Sequence, residues 1–149
     1  MKIAIVGAAY TGRAAALYFR NKGHSVSVST TRQERTAELA EVANHIVVMK
    51  GSDSAGMESL IRDADVVLLS MAGGLGVKDG KPYMDPVAYR DSYVGTADGL
   101  IAALPAAPKL RQIIFCSSMN AYGDANGVNP VSENTPANAA SPAAQVFIE

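Results

Sequence analysis

One cysteine and no tryptophan stand among these 149 residues. A single thiol closes no internal disulfide and implies no metal site, which excludes a stapled secreted module. Its setting, Ile113-Ile114-Phe115-Cys116, reads as a buried thiol rather than a nucleophile. Neither sign of charge dominates: 13 Lys plus Arg face 14 Asp plus Glu. With no basic stripe and no interleaved aromatics, nucleic acid and membrane surfaces are not expected partners. No apolar run approaches the length that spans a bilayer, and the chain opens directly on a strand-like segment instead of a signal peptide, so the expected location is cytoplasmic. Internal repeats and long linkers are also lacking. What remains is a chain 48% hydrophobic, enough for one domain with a real core.

The most informative segment is the first. Lys2-Ile3-Ala4-Ile5-Val6 is a short β-branched run that meets Gly7-Ala8-Ala9-Tyr10-Thr11-Gly12, and the helix-forming Arg13-Ala14-Ala15-Ala16-Leu17 follows. A strand turning on glycine into a helix N-terminus is how α/β proteins hold a pyrophosphate. Gly7 suits the tight turn, and Gly12 permits close packing of helix on strand. Ala9 stands at the second glycine of G-x-G-x-x-G, where its methyl group crowds the diphosphate slightly. Such a fingerprint alone is a weak signal, since turns favour glycine in any case. Here it lies between a strand and a helix, and a second strand, His24–Thr30, ends about twenty residues on, where the ribose-reading residue belongs.

That strand ends Ser29-Thr30-Thr31-Arg32, with Arg35 close behind. An NAD site normally carries a carboxylate there for the ribose hydroxyls. A guanidinium flanked by hydroxyls suits a 2′-phosphate instead, so NADP is expected over NAD, against the plainer reading of a solvated arginine at a helix start.

Strand-like and helix-like segments alternate along the chain, the mark of βαβ units on a parallel sheet. The expected fold is α/β: a Rossmann-type doubly wound sheet of about five strands with helices on both faces. Strands are expected near 2–7, 25–30, 45–49, 65–70 and 112–117. Helices are expected near 11–22, 33–43, 55–63 and 86–104, with a fifth beginning near Pro142. Continuously apolar runs such as Val66-Val67-Leu68-Leu69 and Ile113-Ile114-Phe115 imply strands covered on both faces. Residues 72–86 are rich in glycine and follow the fourth strand, which makes them a mobile cover over a ligand or an ordinary solvated loop. Residues 123–142, with few large apolar groups besides Val128 and Val131, should be irregular. The histidines fall on the wrong rim for catalysis, because His24 precedes the second strand and His45 begins the third. The methionines are scattered and read as gap filling.

Near the far end, Ile113-Ile114-Phe115-Cys116-Ser117-Ser118-Met119-Asn120-Ala121-Tyr122-Gly123-Asp124 resembles the fifth-strand motif of the extended short-chain dehydrogenase/reductases, the NAD(P)-dependent epimerase/dehydratase group. Val131-Ser132-Glu133-Asn134-Thr135-Pro136 looks like that group's V-x-E-x-x-P stretch, Gly95-Thr96 with Leu100 like its G-T-x-x-x-L helix, and Asp65-Val66-Val67 like its fourth strand. The resemblance covers the whole chain but only the N-terminal half of a typical member, so a single NAD(P)-binding domain over 1–149, without the C-terminal substrate region, is expected.

It implies cofactor contacts at Gly7, Ala9, Tyr10, Thr11, Gly12, Thr31, Arg32, Ser52, Asp53, Ser70 and Ala72, of which Asp53 is equally readable as a helix N-cap. It also implies that Ser118 orients a substrate carbonyl, although Ser117 and Ser118 could as well cap the strand end. Members carry Tyr-x-x-x-Lys on the next helix. Aligning Glu149 with the acidic residue that often closes that motif puts Ser141 at the tyrosine and Gln145 at the lysine, so both groups are missing, and an unpartnered serine does not ionise near neutral pH. Tyr122, and more distantly Tyr83, are the remaining phenols for a relocated acid. Tyr93 stands where many members have asparagine. The likeness is therefore to the atypical branch that loses the catalytic tyrosine.

Two functions from different classes follow. One is an oxidoreductase or epimerase moving hydride between a nicotinamide and a carbonyl or nucleotide-sugar carbon. The other is an NADP-sensing or scaffold protein without turnover, and a fragment of a longer enzyme is a third reading. Phe147-Ile148 would normally meet another helix or subunit, which adds a homodimer to the expectations.

Overall fold

The computed structural model of the protein describes residues 1–123, 130–139 and 141–149; Asp124 and Val128 lie outside the described residues. Five strands, β1 (Lys2–Val6), β2 (Ser25–Thr30), β3 (His45–Val48), β4 (Val66–Leu69) and the later β7 (Gln112–Phe115), form one sheet in the order β3-β2-β1-β4-β7. Every pairing in it is parallel.

The strand period of two sorts β1 between two cores. Ile3 and Ile5 join Val26, Val28, Leu39 and Ala16 on one face. Ala4 and Val6 join Met57, Ile61, Val67 and Leu100 on the other. Helix α1 (Tyr10–Asn21) packs on the first face, with α2 (Thr36–Leu39) behind a 3₁₀ turn at Gln33–Arg35. Helices α3 (Ser54–Ile61) and α5 (Thr96–Ala103) cover the second. The strand order reverses between β1 and β4, and in open α/β sheets ligands bind beyond the carboxyl ends at such a point.

Four expectations need correction. Residues 72–86 are not a plain loop: β5 (Leu75–Lys78) and β6 (Lys81–Met84) form an antiparallel hairpin. Its turn is Asp79-Gly80, both at positive φ, 53° and 73°, the pair that a two-residue hairpin turn demands. The helix expected at 86–104 is α4 (Pro86–Arg90) and α5 joined by a π turn at Asp91–Gly95. From the start of α5, Thr96 Oγ1 donates back into that turn to the Ser92 carbonyl at 2.6 Å, a back-bond that bends helices. The helix expected at 33–43 shrinks to the 3₁₀ turn and α2.

The fourth correction concerns Cys116, which is exposed. Its strand β7 is the sheet edge, and Ile113, Ile114 and Phe115 are each more than two-fifths exposed. An apolar run specifies a buried strand only when something covers it.

Beyond β7 come a 3₁₀ turn (Met119–Tyr122) and α6 (Pro142–Gln145). The described part of the intervening stretch has neither helix nor strand; Thr135 closes a turn by donating its amide to the Ser132 carbonyl at 3.0 Å. No helix of the described residues is long and apolar enough to cross a membrane.

Candidate functional site

The site is built by the turn out of β1. Gly7 sits at φ +89°, where a β-carbon would lie 2.8 Å from Met71 Cα and 2.9 Å from the Ser70 carbonyl oxygen. Only glycine fits there, because the obstacles are backbone and the conformation is left-handed. A β-carbon on Gly12 would stand 2.2 Å from the Gly7 oxygen, so α1 crosses β1 closer than any side chain allows. The loop is tied to β2: the Gly7 amide donates to Ser29 Oγ at 3.0 Å, and the Ala8 amide to the Ser29 carbonyl at 2.8 Å.

These bonds use the amides before the helix and leave the first turn of α1 facing outward. An α-helix has no internal acceptor for its first amides, here those of Tyr10, Thr11 and Gly12. The N-cap is Ala9, which makes no side-chain capping bond, and the first turn carries no acidic residue. Uncapped amides at the positive end of a helix dipole suit an anion.

Next to this turn opens a cleft of about 660 Å³. It runs from the glycine loop past the ends of β2 (Thr31, Arg32, Arg35) and β3 (Lys50, Gly51) to the loop after β4 (Met71, Ala72, Gly74) and the π turn (Asp91, Ser92). The Arg32 side chain is 62% exposed, with one long ion pair to Glu34 at 4.0 Å. The Arg35 side chain is only 15% exposed.

Of the residues expected to touch a cofactor, Gly7, Ala9, Thr31, Arg32 and Ala72 line the cleft. Gly12 is buried beneath it, and Tyr10 and Thr11 are exposed at the head of α1. Ser70 is buried at the end of β4, its amide on the Val6 carbonyl. Ser52 is exposed on an adjoining groove with Arg90 and Asp98. Asp53 caps α3, accepting from the Gly56 amide at 3.1 Å.

Ser118 is half-buried just past β7, its carbonyl accepting from the Ala121 amide, and Tyr122 ends the 3₁₀ turn. Tyr83 lies exposed on the hairpin under the Lys78 ammonium. Ser141 caps α6, its hydroxyl accepting from the Ala144 amide at 3.2 Å, and Gln145 closes that helix, exposed. His24 and His45 stand at the amino ends of β2 and β3, opposite the cleft.

Tyr93 is not directed at the cleft. It packs against Tyr89 and Phe147 at 4.8 Å each and against Phe115 at 6.3 Å, tying together α4, β7 and the turn that follows α6. Burial, with the neighbouring Tyr89, pushes its phenol up to about 12, so it supplies no phenolate near neutral pH. From the same turn, Ser92 and Asp91 reach the cleft. They escaped sequence reasoning because the π turn sets their direction, whereas Lys50, directly after a strand on the carboxyl rim, was open to it.

A parallel sheet with this strand order, whose first crossover opens on an uncapped glycine turn beside such a cleft, defines a Rossmann-type dinucleotide-binding protein. The chain belongs to the NAD dependent epimerase/dehydratase family, whose model matches residues 3–145. Among solved structures it is similar to a UDP-glucose 4-epimerase, with 24% identity and a TM-score of 0.78, over 99% of this chain and 44% of that one. It is also similar to the UDP-glucose 4-epimerase of Thermotoga maritima solved with UDP-glucose, with 20% identity and a TM-score of 0.77, over 99% and 48%. A short-chain dehydrogenase/reductase superfamily protein from Agrobacterium tumefaciens with bound NAD gives 23% identity and a TM-score of 0.74, over 99% and 42%. The chain thus spans less than half the length of these proteins. No curated protein sequence matches it.

Proposed function

We propose that this chain is a single NADP-binding domain of the epimerase/dehydratase type. Its coenzyme holds the diphosphate at the first turn of α1 and the adenosine end between Arg32 and the loops after β3 and β4. The cradle supports a dinucleotide: Gly7 and Gly12 leave room that a β-carbon would fill, and Ala9 leaves the first-turn amides uncapped. When bound, a nicotinamide coenzyme supplies hydride transfer to or from a carbon bearing oxygen. The substrates this fits are carbonyl compounds or nucleotide sugars, as the named epimerases suggest.

One observation carries the choice of NADP. Arg32 is the exposed cation of the cleft at the end of β2, its one ion pair among the described residues a long 4.0 Å contact with Glu34, and no carboxylate occupies the ribose-reading position. A charge-assisted bond to phosphate contributes about 1.5–3 kcal/mol when well shielded, and solvent lowers it here to about 1–2, roughly tenfold. Titration of the purified protein should therefore give tighter binding of NADPH than NADH, and Arg32→Asp should invert the order. Equal affinities, untouched by the substitution, would sink the reading.

Turnover is a separate matter. Ser141, taken above as the tyrosine position, accepts from the backbone as a helix cap, which supports a domain that binds coenzyme without completing proton transfer alone. We propose that the family's substrate-binding region lies outside these 149 residues. Ser118, on the same rim as the cleft, favours a second reading in which it orients a carbonyl once such a region is present. The balanced charge and single cysteine fit a cytoplasmic protein that forms no complex with nucleic acid. The open edge of β7 fits either a homodimer or a larger chain.

A further inference from the structure

Two arginines follow β2, and they are held differently. Arg32 lies out in solvent. Arg35 is spread over three bonds: Nη1 donates to the Ala8 carbonyl at 2.7 Å, Nε to Glu38 Oε2 at 3.2 Å, and Nη2 to Glu38 Oε1 at 3.1 Å. The carboxylate is shared with Arg13 of α1, whose Nε stands 2.9 Å from Glu38 Oε1. The Ala8 carbonyl belongs to the glycine loop itself. In a trans peptide the C=O and the following N–H point in opposite directions. Holding the Ala8 oxygen therefore fixes the direction of the Ala9 N–H, at the entrance to the uncapped turn.

We propose that Arg35 is a positioning residue for the phosphate loop, one that acts through the Ala8–Ala9 peptide and reads no part of the nucleotide that distinguishes NADP from NAD. The inference rests on the dinucleotide reading above. The guanidinium also offsets the partial negative charge of the Ala8 oxygen, which would otherwise repel an anion at the end of α1. Glu38 is the tether: its planar carboxylate grips the fork side by side, an arrangement an ammonium cannot reproduce. Helix α1, the loop and α2 are thereby joined through one carboxylate.

The diphosphate is common to both coenzymes, so the loss of a loop brace must weaken both alike. Arg35→Met, which keeps the apolar stem and removes the donors, should lower affinity for NADPH and NADH by the same factor, roughly tenfold, leaving their ratio at the wild-type value. Arg35→Lys should recover only part of this, and Glu38→Gln should give a smaller uniform loss. In the protein without nucleotide, exchange of the Gly7 and Ala8 amides, which are bonded to Ser29, should quicken in Arg35→Met and Glu38→Gln, with the amides of β4 unchanged. If Arg35→Met removed NADPH binding and spared NADH, Arg35 would be a phosphate reader and the proposal would fail. Unchanged affinities for both, with unchanged exchange, would also overturn it. Should the wild type bind neither nucleotide, the dinucleotide reading fails, and the exchange of the Gly7 and Ala8 amides still decides whether Arg35 braces the loop. Should Arg35→Met not fold, Glu38→Gln leaves every main-chain contact in place and carries the same measurements.

Discussion

Adding one methyl group at Gly12 tests whether the closeness of α1 to β1 creates the site. The β-carbon of Gly12→Ala would start 2.2 Å from the Gly7 oxygen and 3.2 Å from Ile5 Cγ2. Ile5 need give by only a few tenths of an ångström, but the Gly7 oxygen is backbone and can recede only if the loop or the helix moves, by about 1 Å to reach an ordinary contact. Overpacking of this kind costs about 1–3 kcal/mol, and the better helix propensity of alanine returns about 1. The net loss is thus at most about 2 kcal/mol, a fall in melting temperature of about 4–8 °C for a chain of this length. The effect on binding should be larger in proportion, since the displaced groups are the first-turn amides, and a hydrogen bond to a charged phosphate contributes about 1.5–3 kcal/mol, roughly tenfold to a hundredfold in affinity. Differential scanning fluorimetry with and without NADPH measures both. Gly76→Ala is the control, because its β-carbon meets nothing within 4 Å. A folded Gly12→Ala protein with wild-type NADPH affinity would refute the reasoning and mean that the loop holds no phosphate.

Two further outcomes follow from the charge and phenol positions. The Asp63 carboxyl is held below its ordinary value of 3.8, first by the hydrogen bond from Lys2 at 3.1 Å and further by Lys109 at 3.5 Å. A carboxyl with a lowered folded pKa stabilises the fold above its unfolded value, and the contribution is lost as pH falls through the folded value; melting curves between about pH 5 and pH 2 should therefore flatten on the acid side in Asp63→Asn. In a nicotinamide absorbance assay over nucleotide sugars, small ketones and aldehydes, the chain alone should show little turnover, since loss of a positioned acid/base typically costs ~10²–10⁴ in rate. Brisk turnover abolished by Ser118→Ala would show a complete active site and remove the non-catalytic reading.

The sheet was legible because its strands carry their own signals. β1 and β2 are β-branched runs ended by glycine or hydroxyl residues, and the glycine spacing Gly7 to Gly12 marks the crossover of α1 onto β1. The hairpin was legible too, in Lys78-Asp79-Gly80-Lys81, yet the surrounding glycines drowned a turn signal that flanking strand residues should have raised. Cys116 was misread for a different reason. Burial depends on what lies over a strand, and no property of Ile113-Ile114-Phe115 says whether anything does. The directions of Ser92 and Tyr93 could not be read, because one extra residue in a helical turn rotates everything after it. The brace at Arg35 joins residues 27 positions apart, and such a contact exists only once the chain is folded.

The backing of Gly7 by β4 sets an order of events in folding. Every strand pair in the main sheet is parallel, so each needs a crossover and none can form as a local hairpin. β1 finds β2 early, with Lys2 opposite Ser25, but its other neighbour comes much later, with Ile3 opposite Val66. The backbone of Ser70 and Met71 that supports the glycine turn arrives with that second partner, after the longer loop has been closed at its entropic cost. A nascent chain that has made only its first βαβ unit therefore carries the whole glycine sequence and no finished cradle. Nucleotide affinity matures with the docking of β4, which makes bound coenzyme a reporter of the long-range half of folding and a ligand that slows its reversal.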